Sequence, residues 1–213
     1  MRTRHLGIGA TLALLCSLIA GGTTLAEAGR QSATVMWHAQ TGLSGPVGSG
    51  AAAQLIRRDG GLSFQLSTAH LRPGHAYTLW FVVINNPAAC AASPCSAPDI
   101  LLNPATQAQI TYGAGHVVGD AGNGTFAGSF RVGSLPGWLP NAALSAPRTA
   151  QVQLVLNDHG PVLKGYLPEQ IQSYRAGCTD ASLPSIFPPS AKADGTPGPN
   201  ACQLYQAAVF PGS

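Results

Sequence analysis

Charge is what this chain has least of. Only 9% of its 213 residues are Asp, Glu, Lys or Arg, and Arg57-Arg58 is the one adjacent basic pair. Nucleic-acid binding needs clustered cations to neutralise phosphates, so no nucleic-acid partner is expected. Carboxylates are as scarce. Glu169 is the only glutamate after residue 28, and Asp99, Asp120 and Asp180 lie in or near loops with no paired spacing for glycoside hydrolysis. Several motifs are missing altogether: Gly-x-Ser-x-Gly, the Asp-x-Asp-x-Asp-Gly calcium loop, Cys-x-x-Cys and His-x-His. Their absence removes the nucleophile-elbow hydrolases, the EF-hand and the zinc-ribbon spacing. No repeat of fixed period is present. Past the N-terminus, no apolar run approaches the ~20 residues that span a bilayer as a helix.

What is present begins with an export signal. Arg2, Arg4 and His5 form a short basic region, 6–20 is an apolar run, and Ala26-Glu27-Ala28 offers small residues at the positions a signal peptidase reads. Residues 1–28 are therefore expected to be a signal peptide and 29–213 a single mature domain. A retained anchor is the alternative, although the run is short for a span. Without Arg2, Arg4 and Glu27, nine basic and seven acidic groups leave a net charge of +2. The expected location is secreted, periplasmic or extracellular, with no transmembrane segment in the mature chain.

Four cysteines remain: Cys90, Cys95, Cys178 and Cys202. An even count in an exported chain reads as disulfides, and three pairings are possible. Cys90–Cys95 with Cys178–Cys202 is the expected one, because each pair brackets a Pro- or Gly-rich loop between candidate strands.

The central stretch is 75–84, preceded by the Pro73-Gly74 turn and ended by Asn85-Asn86-Pro87. Tyr77, Leu79, Phe81 and Val83 share one face at period two, and Thr78, Trp80, Val82 and Ile84 share the other. A strand apolar on both faces is expected to be central and covered on both sides. Further strands are expected at 32–40, 51–58, 62–69, 105–112 (kinked at 113–115 and continued at 116–118), 125–132, 150–157 and 203–210. Asp59-Gly60-Gly61 is a hairpin signal, 158–161 reads as a turn, 167–174 as one or two helical turns, and 177–201 as irregular. About eight strands with turns at this spacing predict an all-β fold: a single Ig-like β-sandwich with long disulfide-stapled loops, the alternative being a β-barrel.

The pattern Pro-Gly-x-x-Tyr-Thr-x-Trp-x-Val-x-x-Asn-Asn-Pro-x-x-Cys over 73–90 resembles that of a group of uncharacterised secreted bacterial β-rich proteins. The likeness extends to Gly-His-Val-Val-Gly at 115–119, His-Gly-Pro at 159–161 and the C-terminal Cys followed by a strand. The resemblance implies export and a β-rich fold, and no activity. A second segment, 116–125, looks like the zinc loop of copper/zinc superoxide dismutases. That family also places two histidines one residue apart for copper, which this chain does not do, so the match reads as a Gly-rich turn.

Five histidines remain after residue 28. His116 and His159 sit at expected strand ends, and His70 and His75 flank one turn. If one rim of the sandwich gathers them, His116, His159, His75 and Asp120 are the candidate ligands for Zn²⁺ or Cu²⁺, since about three must converge. Otherwise no cofactor is expected. Asp158 and His159 are adjacent, and neighbours on a strand point to opposite faces, so they do not make a hydrolytic dyad. Trp138 lies in a Pro/Gly loop. An apolar loop tip is either a contact for a partner, carbohydrate or membrane surface, or a cap folded back on the sandwich. The expected function is an exported, non-catalytic binding or structural module meeting an unknown ligand at the cell surface or outside the cell. The alternatives are a metal-binding secreted protein and, after it, a hydrolase.

Overall fold

Residues 75–84 do form the long strand about which the chain is organised, with every residue but His75 buried. In the computed structural model, which describes residues 29–141 and 143–212, two antiparallel sheets pack face to face. The expected signal peptide, 1–28, lies outside the described residues. The first sheet contains β1 (Gly29–Ala33), β3 (Ala52–Arg58), β4 (Gly61–Thr68) and β7 (Gly124–Arg131), in that order. The second runs β2 (Met36–Trp37), β11 (Gln203–Phe210), β10 (Gln151–Pro161), β5 (His75–Ile84) and β6 (Ala108–Val117). A small ribbon joins β8 (Gly133–Ser134) to β9 (Ala143–Leu144). Neither sheet closes on itself, so the fold is an all-β sandwich and not a barrel.

Nine strands in two sheets, plus the ribbon, replace the eight expected. The difference arises mainly at 32–40. That stretch breaks at Thr34-Val35, where the chain leaves β1 in one sheet and enters β2 in the other. Val35 is fully buried at this crossing. The hairpin at Asp59 forms as read, with Arg58 opposite Gly61.

The two faces of β5 enter two different apolar layers. Tyr77, Leu79, Phe81 and Val83 join Leu55, Phe64, Leu66, Phe126, Leu154 and Phe210 between the sheets. Each such side chain contributes roughly 1.5–3 kcal/mol by leaving water. Trp80, Val82 and Ile84 join a second cluster on the outer side of the second sheet. Asn85, 6% exposed, anchors the end of the strand. Its amide donates to the Gln107 and Ala143 carbonyls, and its oxygen accepts from Ser145 N and Ala146 N.

Strand β6 carries the expected bulge: Trp80 faces Tyr112 and Leu79 faces Ala114, leaving Gly113 extra. At Gly115 the Ile171 carbonyl oxygen comes so close that an added Cβ would sit 1.7 Å from it. Strand β7 ends at Arg131, and Val132, one residue beyond it, is 45% exposed. The largest correction concerns 158–161. These residues continue β10 to Pro161 across a bulge, where Gly160 takes φ +77°, and do not end it. Among the described residues, no helix is long and apolar enough to cross a membrane.

Candidate binding site

A sheet with a strand apolar on both sides needs a cover on its outer face, and three irregular segments supply it here. The first follows β5 and contains the Cys90–Cys95 disulfide and α1 (Ala97–Leu102). The second is the loop carrying Trp138, between β8 and β9. The third is the excursion after β10, with α2 (Leu167–Gln170) and α3 (Pro189–Lys192), which the Cys178–Cys202 disulfide returns to β11. Both disulfides have the expected pairing.

Asp99 holds the first segment in place. Its carboxylate accepts from the Ser96 hydroxyl (2.7 Å) and from the backbone N–H groups of Ser96 (2.9 Å), Ala91 (2.8 Å) and Ala92 (3.3 Å). These donors, the Ser96 hydroxyl foremost, push its pKa down to about 2. The adjoining disulfide closes a short loop. Replacing Cys90 and Cys95 together with Ala should lower stability by about 2 kcal/mol through loop-closure entropy. Urea unfolding of the double variant measures this, and an unchanged midpoint would refute it.

Between cover and sheet lies a half-enclosed pocket of about 190 Å³. Its floor is Trp80, Val82, Ile110, Gln153, Val155, Leu204 and Ala207 from β5, β6, β10 and β11. Ala97, Ile100 and Leu101 of α1, with Trp138, Tyr174 and Phe187, form the walls, and His38 sits beside β2. The aromatic rings brace one another. Trp80 and Trp138 lie 4.1 Å apart between centroids, Trp138 and Tyr174 4.7 Å, and Tyr174 and Phe187 5.1 Å. Trp138 is thus folded back onto the sheet, where its indole N–H donates to Asp194 Oδ2 at 3.4 Å. That carboxylate also accepts from Tyr174 N, and burial pushes its pKa up. No Asp, Glu, Lys or Arg lines the pocket. His38 Nδ1 accepts from Gln40 N, which places the ring proton on Nε2, and burial lowers the pKa of the ring.

Behind Trp80 runs a chain of buried polar groups. Trp80 Nε1–H donates to Thr78 Oγ1 (3.0 Å). The single Thr78 hydroxyl proton is therefore free to go to His159 Nε2 (2.9 Å), and His159 Nδ1–H donates to the Ala176 carbonyl (2.9 Å). Asn157 Nδ2 also donates to His159 Nε2. Every partner suits a neutral ring. Burial, opposed by the Ala176 bond and the Asp158 charge, pulls the His159 pKa down to about 4.

The four candidate metal ligands are not brought together. His116, exposed on edge strand β6, is opposite Tyr77, which is opposite Asp158. Tyr77 and Asp158 face the inner side of the sheet, and His159, the next residue, faces the outer side. His116 and His159 are two strands apart, about 10 Å, on opposite faces. Asp120 is exposed in the turn before β7. Among the described residues, the group with metal-binding spacing is His159, Cys178 and Cys202. Its two sulfurs are bonded to each other, and the His159 nitrogens already have partners.

His75 finds a different role. Its Nδ1 lies 2.9 Å from Asp158 Oδ1, whose carboxylate also accepts from Gly160 N (2.8 Å), Tyr77 Oη (3.3 Å) and Arg72 Nη1 (3.3 Å). Asp158 and His159 do point apart, as the strand argument required. The partner of Asp158 comes from β5.

The sequence reading offered Trp138 as a contact residue but gave no binding role to His38, Tyr174 or Phe187. One usable signal was present: Leu183, Phe187 and Ala191, four residues apart, are apolar in a stretch otherwise rich in Pro, Ser and Gly. No protein-family model, no curated protein and no solved structure matches this chain.

Proposed function

We propose that the protein is an exported, non-catalytic binding module of immunoglobulin-like architecture, acting at the cell surface or outside the cell, whose ligand occupies the pocket on the outer face of the second sheet. The observation that carries this reading is the pocket itself, lined by four mutually braced aromatic rings and no formal charge. Ligand sites are concave, largely apolar and usually preformed, and the packing of Trp80, Trp138, Tyr174 and Phe187 meets that description. Export accords with the N-terminal signal and with two disulfides tying the cover down. Membership in the group of secreted proteins that the 73–90 pattern resembles belongs to the same reading.

Two pocket residues are tryptophans, so binding has an intrinsic reporter. Titration with small apolar molecules should change tryptophan emission. A ligand at 100 times its Kd should stabilise the fold by about 2.7 kcal/mol and raise Tm by roughly 5–10 °C. Trp138→Ala should abolish both responses. Trp37→Ala, which alters the inter-sheet core away from the pocket, should retain them. A panel with no response in the intact protein would reject the pocket as the functional site. Turnover in a broad hydrolase screen would reject the non-catalytic part.

A further inference from the structure

The geometry points to a ligand class: a neutral, flat molecule of one ring or two small fused rings, carrying an oxygen or nitrogen that accepts a hydrogen bond from the Tyr174 hydroxyl. This inference rests on the pocket reading above and narrows it.

Size gives the first limit. An apolar cavity of about 150 Å³ holds benzene, whereas drug-sized ligands fill roughly 300–1,000 Å³. At about 190 Å³ this pocket takes a substituted single ring, or little more. Wall chemistry gives the second. Trp80, Trp138, Tyr174 and Phe187 offer faces and edges to a planar guest, and aromatic pairs favour offset or edge-to-face contact. The missing charges give the third. An ion entering the pocket loses water and meets no counter-charge from a lining Asp, Glu, Lys or Arg, so charged guests are disfavoured.

Tyr174 supplies the specific contact. The residue is 3% exposed and lines the pocket, yet its hydroxyl has no hydrogen-bond partner among the described residues. It is also absent from the fully sealed, unpartnered polar atoms, which are Gln151 Nε2 and Arg175 Nε. The hydroxyl is neither paired nor fully sealed, and because Tyr174 is nearly buried we infer that its open side is the pocket the residue lines. Burial pushes the phenol pKa up, so the group remains an O–H donor. A guest without an acceptor leaves that donor unmatched, and one with an acceptor satisfies it.

The test uses the purified protein with both disulfides formed, and matched probes: toluene, 4-methylphenol, 4-methylcyclohexanol and 4-hydroxybenzoate. Binding is read from the indole N–H resonances of Trp80 and Trp138. The expected order places 4-methylphenol about tenfold tighter than toluene and at least tenfold tighter than the non-planar alcohol and the carboxylate. Tyr174→Phe keeps the ring and removes only the hydroxyl. It should bring 4-methylphenol to within about threefold of toluene, while toluene binds at least as tightly as it does to the intact protein. If toluene and 4-methylphenol bind the intact protein equally, or Tyr174→Phe weakens both alike, the hydroxyl is not the determinant and the ligand class is wrong, although the pocket reading survives. Preference for the carboxylate or the cyclohexanol would overturn the neutral or the planar part in turn. If no probe binds, both readings fail together.

Discussion

Asp158→Ala is expected to destabilise the protein by about 4 kcal/mol, the cost of removing one side of a buried, fully bonded charge cluster. Asp158 is 1% exposed and accepts four hydrogen bonds, from His75, Gly160, Tyr77 and Arg72. Without the carboxylate, Tyr77 Oη and Gly160 N lose an acceptor inside the structure, at about 1–3 kcal/mol for each donor left unsatisfied. Tyr77 has no easy escape. It is fully buried, packs against Tyr205, and its hydroxyl oxygen already accepts from Arg72 N. The cluster also joins strands distant in sequence, because Asp158 on β10 lies opposite both Tyr77 on β5 and Gln203 on β11. Arg72 matters less, since half of its side chain is exposed and an exposed ion pair contributes ~1 kcal/mol or less. The expected series in urea is therefore Asp158→Ala far below wild type, Asp158→Asn intermediate, and Arg72→Ala nearly unchanged. A loss below 1 kcal/mol for Asp158→Ala would mean that the cluster does not hold the rim together.

The same cluster shows where sequence reasoning stops. Asp158-His159-Gly160-Pro161 carries the local chemistry of a turn, and Gly160 does adopt a positive φ. Pairing with β5 nevertheless extends β10 through it, because a bulge lets the strand absorb an irregular residue and continue. Local signals report what the backbone tolerates, and the neighbouring strand decides what it does. By contrast, β5 was legible in full. Its two apolar faces required cover on both sides, and both covers exist. In the expected strand at 62–69, the apolar residues at period two, Leu62, Phe64 and Leu66, are all buried. The disulfide pairing was legible because each cysteine pair flanks one loop.

The pocket was not legible for a geometric reason. Its lining runs from His38 to Ala207, and pairing of β2 with β11 is what brings those ends of the chain to one sheet. Periodicity tells which face Trp80 occupies. It carries no information on which of three irregular segments folds over that face. The histidines meet the same limit: β10 runs past His159, and the face each side chain takes depends on register across β6, β5 and β10. The two-faced strand thus has two separate consequences. One face holds the sandwich together, and the other builds a floor that the loops convert into a pocket.

Acid should weaken this fold through His159 before it titrates most of the carboxylates. In the folded chain the ring stays neutral down to about pH 4, against an ordinary value of 6.5, because burial disfavours the imidazolium. Its partners agree with this state, since Nε2 must remain an acceptor for Thr78. Between these two values the unfolded chain takes up a proton that the folded one does not, so stability rises with pH across that window. The contribution is complete above about pH 6.5 and is lost progressively as pH falls towards 4. At about 1.4 kcal/mol for each pH unit, the total loss is roughly 3 kcal/mol. His38, whose pKa burial also lowers, adds with the same sign, while Asp194, raised by burial, acts in the opposite sense. His159→Gln separates the contributions. The amide can donate to the Ala176 carbonyl and accept from Thr78 without titrating. Urea midpoints at several values between pH 7 and 4 should fall steeply for wild type. For His159→Gln they should start lower at pH 7 and fall by much less, with the two curves converging near pH 4. Parallel curves would show that the buried ring is not what acid attacks.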